Sequence, residues 1–206
     1  MPDYIIYFFI AAAFSYIGSV MPASGNLITI QISLSKGLKA ALLFALGEVI
    51  MECIYGYVSL KISDLIAQNA LNEKYLNMIV VPVFLSLAVY YFFNKKKVEE
   101  QPEKNYRANF LYGLLIGFLN PLAIPFWVFY FSYFYSNNWV VENSPYEWAL
   151  VAGIPVGSFT LLLTYSLLAR KVSRLFQFRI ELFNKGIAVV FFLLAGYSFI
   201  RLLTMD

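Results

Sequence analysis

Glu48 and Glu52 stand one helical turn apart in residues 38–60, LKAALLFALGEVIMECIYGYVSL, a stretch apolar enough to cross a bilayer. About 20 apolar residues span the hydrocarbon core, so both carboxylates are expected near the membrane midplane. A charge there costs about 2.5–3.5 kcal/mol on insertion scales, and side chains kept at that cost usually line a substrate or proton path. Burial disfavours the ionised form, and each charge disfavours the other, so the pair is expected to retain a proton. It should titrate as one coupled unit. A cationic group arriving beside the pair would favour ionisation and release that proton, the minimal chemistry of proton-for-cation antiport. The competing reading is that the acids only bond to a neighbouring helix or lie in a shallow crevice.

The helix that must position them has one distinctive face. Ala41, Ala45, Glu48, Glu52, Tyr55 and Ser59 recur at spacings of three and four, small at one end and polar beyond. Small residues let helices approach closely, and the acids would then face protein or a wet cavity. Leu42, Leu43, Leu46, Val49 and Ile50 fall elsewhere and suit lipid or apolar packing.

Two broken segments are candidates to meet this face, Pro22-Ala-Ser24-Gly25-Asn26 and Asn120-Pro121-Leu-Ala-Ile-Pro125. Proline removes an N–H and clashes with the preceding turn, while glycine tolerates unwinding. Carbonyls and amides freed in this way can bind an ion or zwitterion at the ends of half-helices. Asn26 and Asn120 add side chains that both donate and accept. A kink without function is the alternative reading. Gly153, Gly157, Thr160 and Thr164 repeat the small-residue spacing further on, and Gly157, close to Pro155, is a candidate hinge or packing residue.

The rest of the composition fits a membrane-embedded unit. Of 206 residues, 61% are hydrophobic and only 13% charged, against about 25% charged in a soluble domain. The lone Cys53 excludes an internal disulfide, and the absence of histidine removes the commonest soft-metal ligand and any Ser-His-Asp triad. No phosphate-binding glycine motif is present. Neither an enzyme, a metal site nor a cofactor is expected. A net charge of +3 gives no reason to expect a nucleic-acid partner. Asp3 precedes the first apolar run without a basic residue, so this end is expected to be a retained helix rather than a signal peptide.

Six apolar segments are legible, at residues 4–34, 38–60, 75–93, 110–135, 148–169 and 187–203. With the N-terminus outside, the inner connections carry twelve Lys and Arg residues and the outer ones three. The positive-inside rule therefore predicts both termini outside. Trp139, Tyr146 and Trp148 fall at the outer boundary as an aromatic belt. Residues 94–109, NKKKVEEQPEKNYRAN, read as a flexible cytoplasmic linker. On either side, Ile17-Gly-Ser-Val-Met-Pro22 aligns with Ile116-Gly-Phe-Leu-Asn-Pro121. The predicted fold is thus all-α, six transmembrane helices in two inverted three-helix repeats, residues 1–93 and 110–206. Inverted repeats with matching broken helices point to a secondary-transporter site at the repeat interface.

The chain resembles the lysine exporter (LysE/RhtB-type) translocators over nearly its whole length. The likeness lies in Pro22-Ala-Ser-Gly-Asn26-Leu27, in Ser35-Lys-Gly-Leu-Lys-Ala40 leading to Gly47-Glu48, and in Gly117-Phe-Leu-Asn120-Pro121-Leu-Ala. The family usually has Pro-Gly-Pro at the first break and Asp where Glu48 stands, and Glu52 is an addition. The resemblance implies proton-driven export of an amino acid or related small metabolite across a bacterial inner membrane, with a homodimer allowed. Glu48, Glu52, Asn26, Asn120 and Tyr55 are the expected proton and substrate contacts. Pro22, Ser24, Gly25, Pro121, Pro125 and Gly157 are the expected broken-helix or hinge positions. Export of an inorganic cation is the main alternative, and a membrane scaffold a third.

Overall fold

The computed structural model describes residues 3–20, 24–67, 73–93, 106–120, 123–140, 146–176 and 180–204. All regular structure among them is helical: α1 (Asp3–Ser19), α2 (Ser24–Lys36), α3 (Leu38–Ala67), α4 (Glu73–Phe93), α5 (Tyr106–Phe118), α6 (Ala123–Ser136), α7 (Glu147–Leu167), α8 (Ala169–Phe176) and α9 (Ile180–Thr204). Pro22, Pro121 and most of the linker, residues 94–105, lie outside the described residues.

Two helices, α3 and α7, are each long and apolar enough to cross a membrane. The pairs α1–α2 and α5–α6 pass the same test together, bent by 78° and 61° at their short breaks. The chain is therefore an integral membrane protein with two to four candidate spans by length and composition, and α4 and α9 contain the shorter apolar stretches Val81–Tyr90 and Ala188–Thr204. The two long uncharged runs in the sequence become bent pairs, one on either side of the stretch that holds Pro22 and the other on either side of the stretch that holds Pro121. Pro125 is the third residue of α6, where the first turn has no carbonyl to receive its N–H. It starts that helix rather than bending it. Between α2 and α3 a single residue, Gly37, turns the chain at φ +90°, a conformation glycine adopts without strain.

The helices form two compact units, Met1–Ala67 with Glu99–Leu175, and Gln68–Val98 with Phe176–Asp206. In the second, α4 and α9 pack on each other, with Phe84 and Phe191 rings 5.5 Å apart. In the first, α3 touches α2, α5, α6 and α7. Two close seams organise it. A Cβ at Gly113 of α5 would fall on the Phe44 carbonyl of α3, and one at Gly47 on the Phe110 carbonyl of α5. A Cβ at Gly153 or Gly157 of α7 would fall on the Phe8 or Ala12 carbonyl of α1. Gly157 thus sits at a helix–helix approach that any larger residue would wedge open.

The face foreseen on α3 is the one that packs inward: Ala41, Ala45, Glu48 and Ser59 are buried, and Glu52 and Tyr55 partly so. Leu46, Ile50 and Ile54 lie on the opposite side and are exposed, as suits lipid. Along α3 the acids separate two apolar clusters. Ile28, Ile32, Ala40, Ala41, Phe44 and Ile116 form one. The other is centred on Leu60, Trp127, Phe131, Phe134, Leu150 and Ile154.

Candidate functional site

Glu48 is 5% exposed, and its Oε2 is buried without a hydrogen-bond partner. It meets the N-terminal turn of α2: a Cβ at Gly25 would coincide with the Glu48 carboxylate. From the other side α5 crosses tightly, so that a Cβ at Gly117 would lie 2.9 Å from the Glu48 carbonyl oxygen. Gly25 of α2 therefore makes the room in which this carboxylate sits, while Gly117 of α5 lets that helix approach the Glu48 backbone. A negative charge at the start of α2 faces the positive end of that helix's dipole. Two further buried polar atoms on the flanking helices are without partners, Thr29 Oγ1 on α2 and Asn109 Nδ2 on α5. Thr29 follows Gly25 by one turn, and Asn109 precedes Gly113 by one turn, so each shares the face that meets α3.

Glu52 turns to a different neighbour. Its Oε2 is hydrogen-bonded to Ser158 Oγ of α7. Ser158 Oγ is also 2.8 Å from Ser15 Oγ and 3.1 Å from Ser19 Oγ, both on α1. Ser15 Oγ in turn donates to the Ile154 carbonyl at 2.8 Å. One hydroxyl chain therefore joins α1, α3 and α7. Sequence reasoning passed over these serines, although Ser15 and Ser19 share a face at a four-residue spacing in an otherwise apolar helix.

The remaining candidates act at the breaks. Asn26 is buried, and its Nδ2 donates to the Ser19 carbonyl at 2.6 Å, spanning the first break. Ser24 opens α2 and is exposed. At the second break the Asn120 N–H donates to the Gly117 carbonyl at 3.1 Å and Tyr55 Oη donates to the Phe118 carbonyl at 2.6 Å. Tyr165, which no spacing or motif singles out, does the matching job at the first break, donating from α7 to the Val20 carbonyl at 2.8 Å.

A second polar cluster lies towards the C-terminal end of α3. Asp64 and Glu147, 4% and 5% exposed, both meet Tyr135 Oη, at 2.8 and 2.9 Å. Lys61 Nζ lies 2.8 Å from Asp64 and 4.0 Å from Glu147. The charges alone suggest a solvated flank, and only folding brings α3, α6 and α7 together here. Among the described residues no group of three or more His, Cys, Asp or Glu side chains could hold a metal ion.

The model of the LysE type translocator family matches residues 16–202, most of the chain. The chain belongs to the LysE type translocators. It is accordingly a membrane exporter of small molecules, not an enzyme, and works in a lipid bilayer. No curated protein and no solved structure matches it. As a LysE type translocator it carries its buried, partnerless carboxylate at Glu48, the acid that follows Gly47 in the motif of the second apolar segment.

Proposed function

We propose that this translocator exports an amino acid or related small metabolite in exchange for protons, by alternating access, from a bacterial cytoplasm. The observation that carries the reading is Glu48 Oε2, buried with no partner against Gly25 of α2. An orphaned buried acceptor costs about 1–3 kcal/mol. A substrate ammonium group would remove that cost by donating to the oxygen. Asn26, Asn120 and Tyr55 hold the two breaks, and Gly25, having no Cβ, leaves the place that the Glu48 carboxylate fills.

The packing supports two inverted repeats. The first half-helix of each bent pair lies on the long helix of the other half, α1 on α7 and α5 on α3, and a tyrosine of that long helix serves the carbonyl at the break. With α4 and α9 as third crossings, six spans result, in repeats 1–93 and 110–206 joined by the linker 94–109, with both termini outside. Moving one charge through 100 mV is worth about 2.3 kcal/mol, which sustains a gradient of about fifty-fold.

Counterflow in proteoliposomes with a panel of amino acids and divalent cations tests the reading. Amino-acid flux that responds to an imposed pH gradient, and is lost in Glu48→Gln, is the expected result. Flux of a divalent cation alone would replace the substrate class, and undiminished flux in Glu48→Gln would remove that residue from the mechanism.

A further inference from the structure

Counting hydrogens along the serine chain locates a proton. Four contacts must each be filled by one hydrogen: Glu52 with Ser158, Ser158 with Ser15, Ser158 with Ser19, and Ser15 with the Ile154 carbonyl. A serine hydroxyl carries one hydrogen. Ser15 must give its own to Ile154, because a carbonyl only accepts. The contact between Ser15 and Ser158 then uses the Ser158 hydrogen, and Ser19 supplies the one between Ser19 and Ser158. Nothing remains for the contact between Ser158 and Glu52 unless the carboxyl provides it. With Glu52 ionised, three hydrogens face four contacts and one link must open. With Glu52 protonated, all four are filled, and Ser158 Oγ accepts twice and donates once, within its capacity.

The geometry points to Glu52 as the residue that holds the transported proton in this conformation, bound through Ser158, Ser15 and Ser19, so that releasing the proton slackens the tie between α1 and the α3–α7 pair. Calling this proton the coupled one rests on the export reading above. Its location does not. The titratable groups nearest it on α3 are Glu48 and Tyr55, one turn away on either side, and the adjoining Cys53; Tyr165 lies on α7, which Glu52 meets through Ser158. Tyr55 and Tyr165 are occupied with backbone carbonyls. No ion pair reaches Glu52 among the described residues. Glu48 and Glu52 thus divide the work: Glu52 has a built proton site, and Glu48 keeps the unpartnered oxygen.

Infrared spectroscopy of the purified protein in liposomes at neutral pH tests the assignment, because a protonated carboxyl has its own C=O band. The wild-type minus Glu52→Gln difference should show that band, and Ser158→Ala should move it to higher frequency by removing the acceptor of its proton. Gln at position 52 keeps an N–H for Ser158, so the variant should melt like the wild type. A difference spectrum without the band, or a band unmoved in Ser158→Ala, would overturn the assignment. Counterflow is read separately. The band without flux keeps the proton on Glu52 and removes the export reading, whereas proton-coupled flux without the band does the reverse.

Discussion

Adding one methyl group at Gly25 tests whether the start of α2 abuts the acid that carries the proposed function. All three nearest neighbours of a Cβ there would be carboxylate atoms of Glu48, close enough to overlap. The end of a glutamate side chain can swing, so the collision is relieved by displacing the carboxylate rather than by parting helices. Overpacking of this kind costs about 1–3 kcal/mol. Alanine is better than glycine by about 1 kcal/mol in a helix interior, and less than that at the second residue of α2. Much of the stability cost is therefore cancelled, while the carboxylate still leaves its place. A substrate that meets Glu48 in that place should bind about 5–150-fold more weakly, the equivalent of 1–3 kcal/mol. Gly113→Ala is the contrast, because its Cβ would strike the Phe44 carbonyl, which cannot swing away. It should lower the melting temperature in detergent far more than Gly25→Ala does. Half-saturation in counterflow and thermal unfolding, measured on both variants, separate the two effects. Wild-type affinity in Gly25→Ala would refute the reasoning, as would a melting loss equal to that of Gly113→Ala with affinity unchanged.

Tyr55→Phe and Tyr165→Phe each remove the hydroxyl that serves a carbonyl at a break, and each should cost about 0.5–1.5 kcal/mol. The two losses should add, since the tyrosines share no partner, and thermal unfolding of the double variant measures this. Tyr135→Phe withdraws the phenol from two buried carboxylates and should destabilise by about 1–3 kcal/mol in the same assay. Unchanged melting would mean that Lys61 alone satisfies them. Gly186→Ala and Gly196→Ala place a methyl in open space on α9, so melting should hold or rise by up to about 1 kcal/mol of stability. A marked fall in melting would mean that this surface is covered in the intact protein.

The inward face of α3 was legible because helical periodicity is local: spacings of three and four put Ala41, Ala45, Glu48, Glu52, Tyr55 and Ser59 on one side, and burial follows them. The breaks were legible for the same reason, since proline and glycine act on their own backbone. Which neighbour each acid meets was not legible. Ser15 and Ser158 are 143 residues apart, and the spacing of Ser15 and Ser19 marks a face of α1 without naming the helix it meets. Glu48 and Glu52 form one pair when only α3 is considered, yet Gly25 of α2 lies against the first carboxylate and a hydroxyl chain from α1 and α7 takes the second. Gly157 reads as a hinge beside Pro155, but its closest surroundings are the backbone of α1. The cluster of Lys61, Asp64, Tyr135 and Glu147 was hidden likewise, because charges at helix flanks look solvated until three helices converge on them.

Where a helix breaks inside a membrane, the freed backbone groups must be satisfied by neighbouring protein or by what lines the cavity. Here protein groups serve the carbonyls flanking both breaks: Asn26 serves Ser19, Tyr165 serves Val20, and Tyr55 serves Phe118. A ligand is therefore not required at those carbonyls. The buried side-chain atoms left without partners are Glu48 Oε2, Thr29 Oγ1 and Asn109 Nδ2, among the described residues. All three lie on α2, α3 or α5, helices that pack against one another. Each orphaned group costs about 1–3 kcal/mol unless water or a ligand satisfies it. An acceptor, a hydroxyl and an amide donor are also the functional groups that complement an ammonium and a carboxylate together. On the export reading, the α2–α3–α5 contact, rather than the broken backbone, is where a substrate would find polar groups still without partners.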